Sequence, residues 1–158
     1  MDAANMPDTI FTAPQYNPAR ERKRKILIIV AICVLVAAAV LVWWFRYWPE
    51  EHVVDRFFDA LQAKDYKTAY GIWQHDPQWE QHPQAHSAYP FHDFYRDWGP
   101  GGDWGLIKEH EVQCSAAPPG GNGVVVVVTV NGRAEKARLW VLKADKTLTF
   151  SPFEVLCR

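Results

Sequence analysis

The sequence predicts an α+β fold, with one N-terminal transmembrane helix followed by three helices and a four-stranded antiparallel sheet. Three observations carry this reading. Residues 26–45 read ILIIVAICVLVAAAVLVWWF and contain no charge, proline or glycine. Residues 54–98 hold three stretches with large apolar side chains at i, i+3, i+4 and i+7, the spacing of one helix face. Residues 124–130 are a valine run leading into Asn131-Gly132, a strong short-range hairpin signal.

The first element is the membrane segment. At about 1.5 Å per residue, a twenty-residue apolar helix spans roughly 30 Å, the thickness of the bilayer's hydrocarbon core. Such a helix satisfies its own backbone polar groups, as the bilayer interior requires. Arg20, Arg22, Lys23, Arg24 and Lys25 precede it, and Trp43, Trp44, Tyr47 and Trp48 follow it. Basic residues mark the cytoplasmic end, and aromatic rings favour the headgroup region. The run is longer than the apolar region of a cleaved signal peptide and ends in bulky rings. The expectation is an uncleaved anchor over residues 26–48 in a bacterial inner membrane, with the C-terminal part outside the cytoplasm. Residues 1–25, with Pro7, Pro14 and Pro18 and no periodicity, read as a disordered basic tail. The stretch 14–18 has the composition of a short docking motif.

Residues 49–158 form the outer domain. Val54, Phe57, Phe58 and Leu61 mark its first helix; Tyr66, Ala69, Tyr70 and Trp73 mark the second, with Asp65 as N-cap. Phe91, Phe94, Tyr95 and Trp98 mark the third, with Pro90 in its first turn and Gly99 as its stop. A polar loop, residues 75–89, separates the last two. After Pro100-Gly101-Gly102, strands are expected over residues 106–114, 124–130, 133–143 and 147–156. The second is β-branched and central, and Pro152 marks the fourth as an edge strand or the site of a bulge.

The stretch Val53-Val54-Asp55-Arg56-Phe57-Phe58-Asp59-Ala60-Leu61-Gln62-Ala63-Lys64-Asp65-Tyr66-Lys67-Thr68-Ala69-Tyr70 resembles the opening of nuclear transport factor 2-like domains, where an amphipathic helix precedes a second helix of pattern D-Y-x-x-A-Y. The resemblance covers residues 50–157. It implies a cone, in which a curved sheet is wrapped by helices around an apolar pocket. Enzymes of that superfamily resembling ketosteroid isomerase place a base carboxylate inside the cone. An inner-membrane subunit of type IV secretion systems has the same order of tail, anchor and cone, with a longer outer domain.

The chemistry visible in the sequence is sparse. A net charge of -1 gives no reason to expect nucleic-acid binding. For a cone active site the candidates are Asp93, Asp103 and His110 with Tyr70 or Tyr95 as donor, yet none matches a catalytic motif. His75, His82, His86 and His92 lie beside Asp76 and Asp93, but no metal-binding spacing is present. A polar loop is the reading, and no metal or cofactor is expected. Tyr70, Trp73, Phe94, Trp98 and Trp140 are candidates for lining an apolar pocket. Cys33 falls within the membrane segment. Cys114 and Cys157 would pair in an oxidising compartment, but a plain four-strand meander would end them at opposite edges, beyond the roughly 7 Å that a disulfide allows between Cα atoms.

The functional expectation is a membrane-anchored, non-catalytic binding or assembly module. Its partners are the lipid bilayer, through residues 26–48, and a protein or small apolar ligand at the outer domain. The alternatives are a cone enzyme and a structural subunit of an envelope or secretion machine.

Overall fold

A computed structural model describes residues 18–157, which fall into two units meeting at Trp43 and Trp44. Residues 14–17 of the proposed motif and most of the predicted tail lie outside the described residues.

The first unit is helix α1, Pro18–Trp44. No residue in it is buried, and it is long and apolar enough to cross a membrane. It starts eight residues earlier than the apolar run. Pro18 suits a first helical turn, whose N–H groups have no intrahelical acceptor. Residues 20–25 are therefore helical and not part of an irregular tail, and Glu21 pairs with Lys25 one turn on at 3.1 Å. The helix also stops sooner than residue 48. Residues 45–47 form a turn, and Trp48 opens the next helix with Pro49 in its first turn.

The second unit is α+β. Helices α2 (Trp48–Gln62), α3 (Tyr66–Trp73) and α4 (Phe91–Trp98) precede strands β1 (His110–Ala116), β2 (Gly123–Val130), β3 (Lys136–Leu142) and β4 (Leu148–Phe150). The apolar stripe of α2 is buried as its period requires: Val54, Phe57 and Phe58 are fully enclosed. Asp65 caps α3 by accepting from the Thr68 backbone N–H at 3.1 Å. On α4 the stripe holds only in part, because Phe94 and Trp98 are buried while Tyr95 lies 45% exposed, edge-on to Tyr66.

The sheet is a meander in the order β1-β2-β3-β4, antiparallel throughout. Alternation along the strands divides it into two faces. Val124, Val126, Val128 and Val130, with Ala137, Leu139 and Val141, face the helices. Burying each large apolar side chain contributes about 1.5–3 kcal/mol, so this layer is the main source of stability. At its centre Phe57 meets Trp98, Phe58, Trp73 and Phe94 with ring centroids 5.1–6.1 Å apart, mostly edge to face.

The opposite face is apolar as well. Val125, Val127 and Trp140 are buried there, with Cys114, Leu142 and Val155 packed beside them. Their cover is the chain's own C-terminal segment. β4 ends at Phe150, six residues short of the predicted boundary, and the chain leaves the ladder after Ser151, whose N–H still donates to the Arg138 carbonyl at 3.0 Å. Phe153 lies against Trp140 at 5.2 Å, Val155 joins the valines, and Cys157 is bonded to Cys114 with Cα atoms 5.7 Å apart. A plain meander would separate the two cysteines only if Cys157 ended an edge strand. In fact the segment carrying it crosses the sheet back to β1.

A bulge makes the bond possible. Val112 pairs with Val128 but Cys114 pairs with Val127, so Gln113 is an extra residue in β1. Directly paired residues share a face. Were Gln113 paired regularly with Val127, Cys114 would oppose Val126 and point toward the helices. The bulge turns it outward and adds local twist to a curved sheet.

The Asn131-Gly132 turn forms with φ of 53° and 64°, the left-handed values of a type I′ turn. The register corrects the third strand's start from residue 133 to Lys136, which pairs with Thr129. Asn131 also clamps the preceding loop. Its Oδ1 accepts from the Lys108 N–H at 2.8 Å, and its Nδ2 donates to the Leu106 carbonyl at 2.9 Å. This holds residues 106–108 outside the ladder, and β1 accordingly begins at His110.

Candidate functional site

Four of the five predicted pocket residues converge, but on one another. Tyr70, Trp73, Phe94 and Trp98 are each at most 3% exposed and fill the space between helices and sheet. The Tyr70 hydroxyl donates to the Tyr89 carbonyl at 2.7 Å, which satisfies its polar end inside the core. Trp140 lies on the other side of the sheet, against the C-terminal segment. No single pocket is lined by all five. Glu50 is the one buried charged residue among those described, and it sits where α2 begins, paired with Lys146.

The acid–base candidates are dispersed. Asp93 lies in the first turn of α4, 2.8 Å from Arg96. Asp103 is exposed, and its carbonyl accepts from Arg133. His110 is enclosed between sheet and helix: its ring stacks on Phe58, and Nε2 lies 3.6 Å from Asp55 and 3.8 Å from Asp59. Tyr89, absent from the sequence reading, donates to Asp97 at 2.9 Å, and burial together with that carboxylate pushes its hydroxyl well above the usual phenol range.

Two of the four candidate histidines share a carboxylate oxygen. Asp76 Oδ2 lies 2.9 Å from His86 Nε2 and 3.2 Å from His82 Nδ1, while Oδ1 accepts from the Gln78 N–H. The hydrogen bond from His86 is the main cause of the lowered Asp76 pKa. His92 pairs instead with its neighbour Asp93 on α4, and no group of three or more metal-ligating residues converges among the described residues. The pairing on Asp76 folds residues 75–89 into two 3-10 turns, Trp79–Gln81 and Pro83–His86.

That folded loop builds the concavity with the strongest claim to be a binding site. A groove of about 570 Å³ lies between α2, α3 and residues 77–81, within the size range of small-molecule sites. Val53 from α2 and Ile72 from α3 are its half-buried apolar surface. Trp79 forms the far wall, fixed by donating its indole N–H to the Lys67 carbonyl at 3.2 Å and by stacking on Phe91. Gly71 lets the loop come close: a Cβ there would lie 3.2 Å from the Asp76 carbonyl oxygen.

The rim carries the cations Arg56 and Lys67 and the imidazole of His75 against the single carboxylate of Glu80. Glu80 is already engaged by Lys67 at 2.7 Å, which raises the Lys67 pKa. The Arg56 guanidinium has no ion-pair partner among the described residues. Sequence reasoning missed this groove because Val53 and Arg56 flank the core stripe of α2, and because Trp79 sat in a stretch read as a polar loop. The one available signal was that tryptophan, an aromatic without periodic partners.

Comparison of the chain with protein-family models, curated proteins and solved structures finds no match.

Proposed function

We propose that this chain is a single-pass membrane protein whose C-terminal α+β domain is a non-catalytic binding or assembly module outside the cytoplasm, and that binding takes place at the surface groove between α2 and α3. The observation that carries the reading is how the apolar surface is distributed. α1 leaves every one of its residues unburied, a cost that a bilayer removes and water does not. In the second unit the interior is packed with Tyr70, Trp73, Phe94 and Trp98, so concavities of ligand size lie at the surface, the groove between α2 and α3 among them.

Orientation follows from two features. The basic cluster Arg20–Lys25 precedes the apolar run, which favours a cytoplasmic N-terminus. The Cys114–Cys157 bond suits an oxidising compartment on the other side. The order of three helices followed by a curved meander is compatible with a nuclear transport factor 2-like cone, here with a filled centre, and we retain that kinship as a proposal.

The topology is tested by labelling intact cells with an impermeant thiol reagent after mild reduction. Labelling of Cys114 and Cys157 is expected. Protection in intact cells with labelling after lysis would place the domain in the cytoplasm and overturn the orientation. The binding role is tested by crosslinking the full-length protein in membranes through a photoreactive residue at Gln78, on the groove rim. Adducts are expected there and not from Glu135 on the β2–β3 hairpin; equal yields at both would remove the groove from the proposal.

A further inference from the structure

We infer that the groove between α2 and α3 is a site for an anionic phospholipid, with the phosphate on Arg56 and the first part of an acyl chain on Val53, Ile72 and Trp79. The inference rests on the proposed membrane anchoring and on binding at the groove, and adds the class of ligand.

Charge complementarity is the first argument. Of the cationic groups on the rim, Lys67 is taken up by Glu80, whereas Arg56 is exposed and has no ion-pair partner among the described residues. A guanidinium suits phosphate because its planar N–H groups match two oxygens at once. His75 and Thr68 on the same rim add further polar groups that can meet a headgroup.

The second argument is the amphipathic cross-section. Val53 and Ile72 are half-buried aliphatic residues, and the Trp79 ring presents an edge held rigid by its own hydrogen bond and stacking partner. A purely ionic ligand would leave this surface wet, and a purely apolar one would leave Arg56 unanswered. The third argument is connectivity. Val53 and Arg56 lie within the first three turns of α2, which begins after a three-residue turn at the end of α1. With α1 in a bilayer, lipid is the amphiphile in greatest supply at this point of the chain.

The full-length protein is reconstituted in nanodiscs of phosphatidylcholine, with or without phosphatidylglycerol, and the indole N–H resonance of Trp79 is followed by NMR, assigned with W79F. Phosphatidylglycerol is expected to shift this resonance and phosphatidylcholine alone is not. R56Q should weaken the response about tenfold or more, as expected for losing a charge-assisted hydrogen bond, and R56K should restore part of it. Equal responses in the two disc types, or an unchanged response in R56Q, would overturn the anionic-lipid assignment. Octanol, titrated into phosphatidylcholine discs, separates the two levels of failure. A shift with octanol but none with phosphatidylglycerol would refute the lipid class and leave groove binding standing. No shift with either would remove groove binding and this inference together. Failure of the chain to enter discs would overturn the anchoring on which both rest. Arg56 is exposed, so unchanged melting of R56Q serves as the folding control.

Discussion

Cys114 and Cys157 are joined on the face of the sheet turned away from the helices, with Cα atoms 5.7 Å apart at a sequence separation of 43. The bond fixes a segment in which Phe153 also lies against Trp140 and Val155 packs on the cluster of Val125, Val127 and Trp140. Replacing both cysteines by alanine should cost about 2–4 kcal/mol, the range for a closed loop of this length. Chemical denaturation of the two forms measures it. Faster amide exchange in β1 is expected to accompany the loss.

The bulge makes a stricter test. Deleting Gln113 should remove the bulge and leave Cys114 next to Val112 and still opposite Val127 on the outer face, with the bond intact. Non-reducing mass mapping of the deletion variant should recover the 114–157 bridge. Free thiols in that variant would show that the bond depends on the bulge itself.

Gly123 should tolerate no side chain. A Cβ at this position would lie 2.4 Å from the Trp140 ring and 2.6 Å from the Val141 carbonyl oxygen. The ring is wedged under the C-terminal segment, and the carbonyl belongs to the strand paired with β2. Gly123→Ala is expected to destabilise by about 1–3 kcal/mol, the usual cost of overpacking, read as a lowered midpoint of denaturation.

Lys146 and Glu50 join the β3–β4 turn to the start of α2 at 2.6 Å. The Glu50 side chain is almost wholly enclosed, while Lys146 keeps partial access to water. Lys146→Met leaves a buried carboxylate without its cation and should cost about 2–3 kcal/mol, below the range for a fully buried pair because one partner is solvated. Glu50→Gln should cost less. A double-mutant cycle on thermal unfolding should return a coupling of about 1–2 kcal/mol.

Acidification should loosen the helical side of the domain first. Asp65 is held below the ordinary carboxylate range, chiefly by the Thr68 hydroxyl and then by the Thr68 N–H, and Asp76 by His86. A depressed folded-state pKa means the unfolded chain binds more protons in this range, so stability rises with pH there. The contribution is present above about pH 4 and is lost as pH falls through the folded-state values. Asp65→Asn keeps a good N-cap but removes the titration. Its neutral-pH stability should stay close to that of the parent chain, while its loss of stability between about pH 4 and 2 should be smaller.

The patterns readable in the chain were those set by local period. Twenty uncharged residues defined an apolar helix, because length and polarity alone decide whether a helix suits a bilayer. Val54, Phe57, Phe58 and Leu61 defined the buried face of α2, and Asn131-Gly132 defined a turn, because each depends on neighbours a few residues away. These fixed the α+β class and the order of helices and strands along the chain, while the plain meander emerged only from the tertiary structure. Gln113, Trp79 and residues 151–157 were not legible, since their roles come from contacts made across the fold. Leaving Gln113 unpaired in β1 sets the face on which Cys114 appears. Trp79 becomes a groove wall only once Asp76 has drawn the loop in through His82 and His86. The C-terminal segment leaves its strand to cover valines whose second apolar face needs a cover. Local sequence thus determined the elements and their order. Tertiary packing decided which surfaces remained open, because burial is settled by competition among distant segments for the same apolar face.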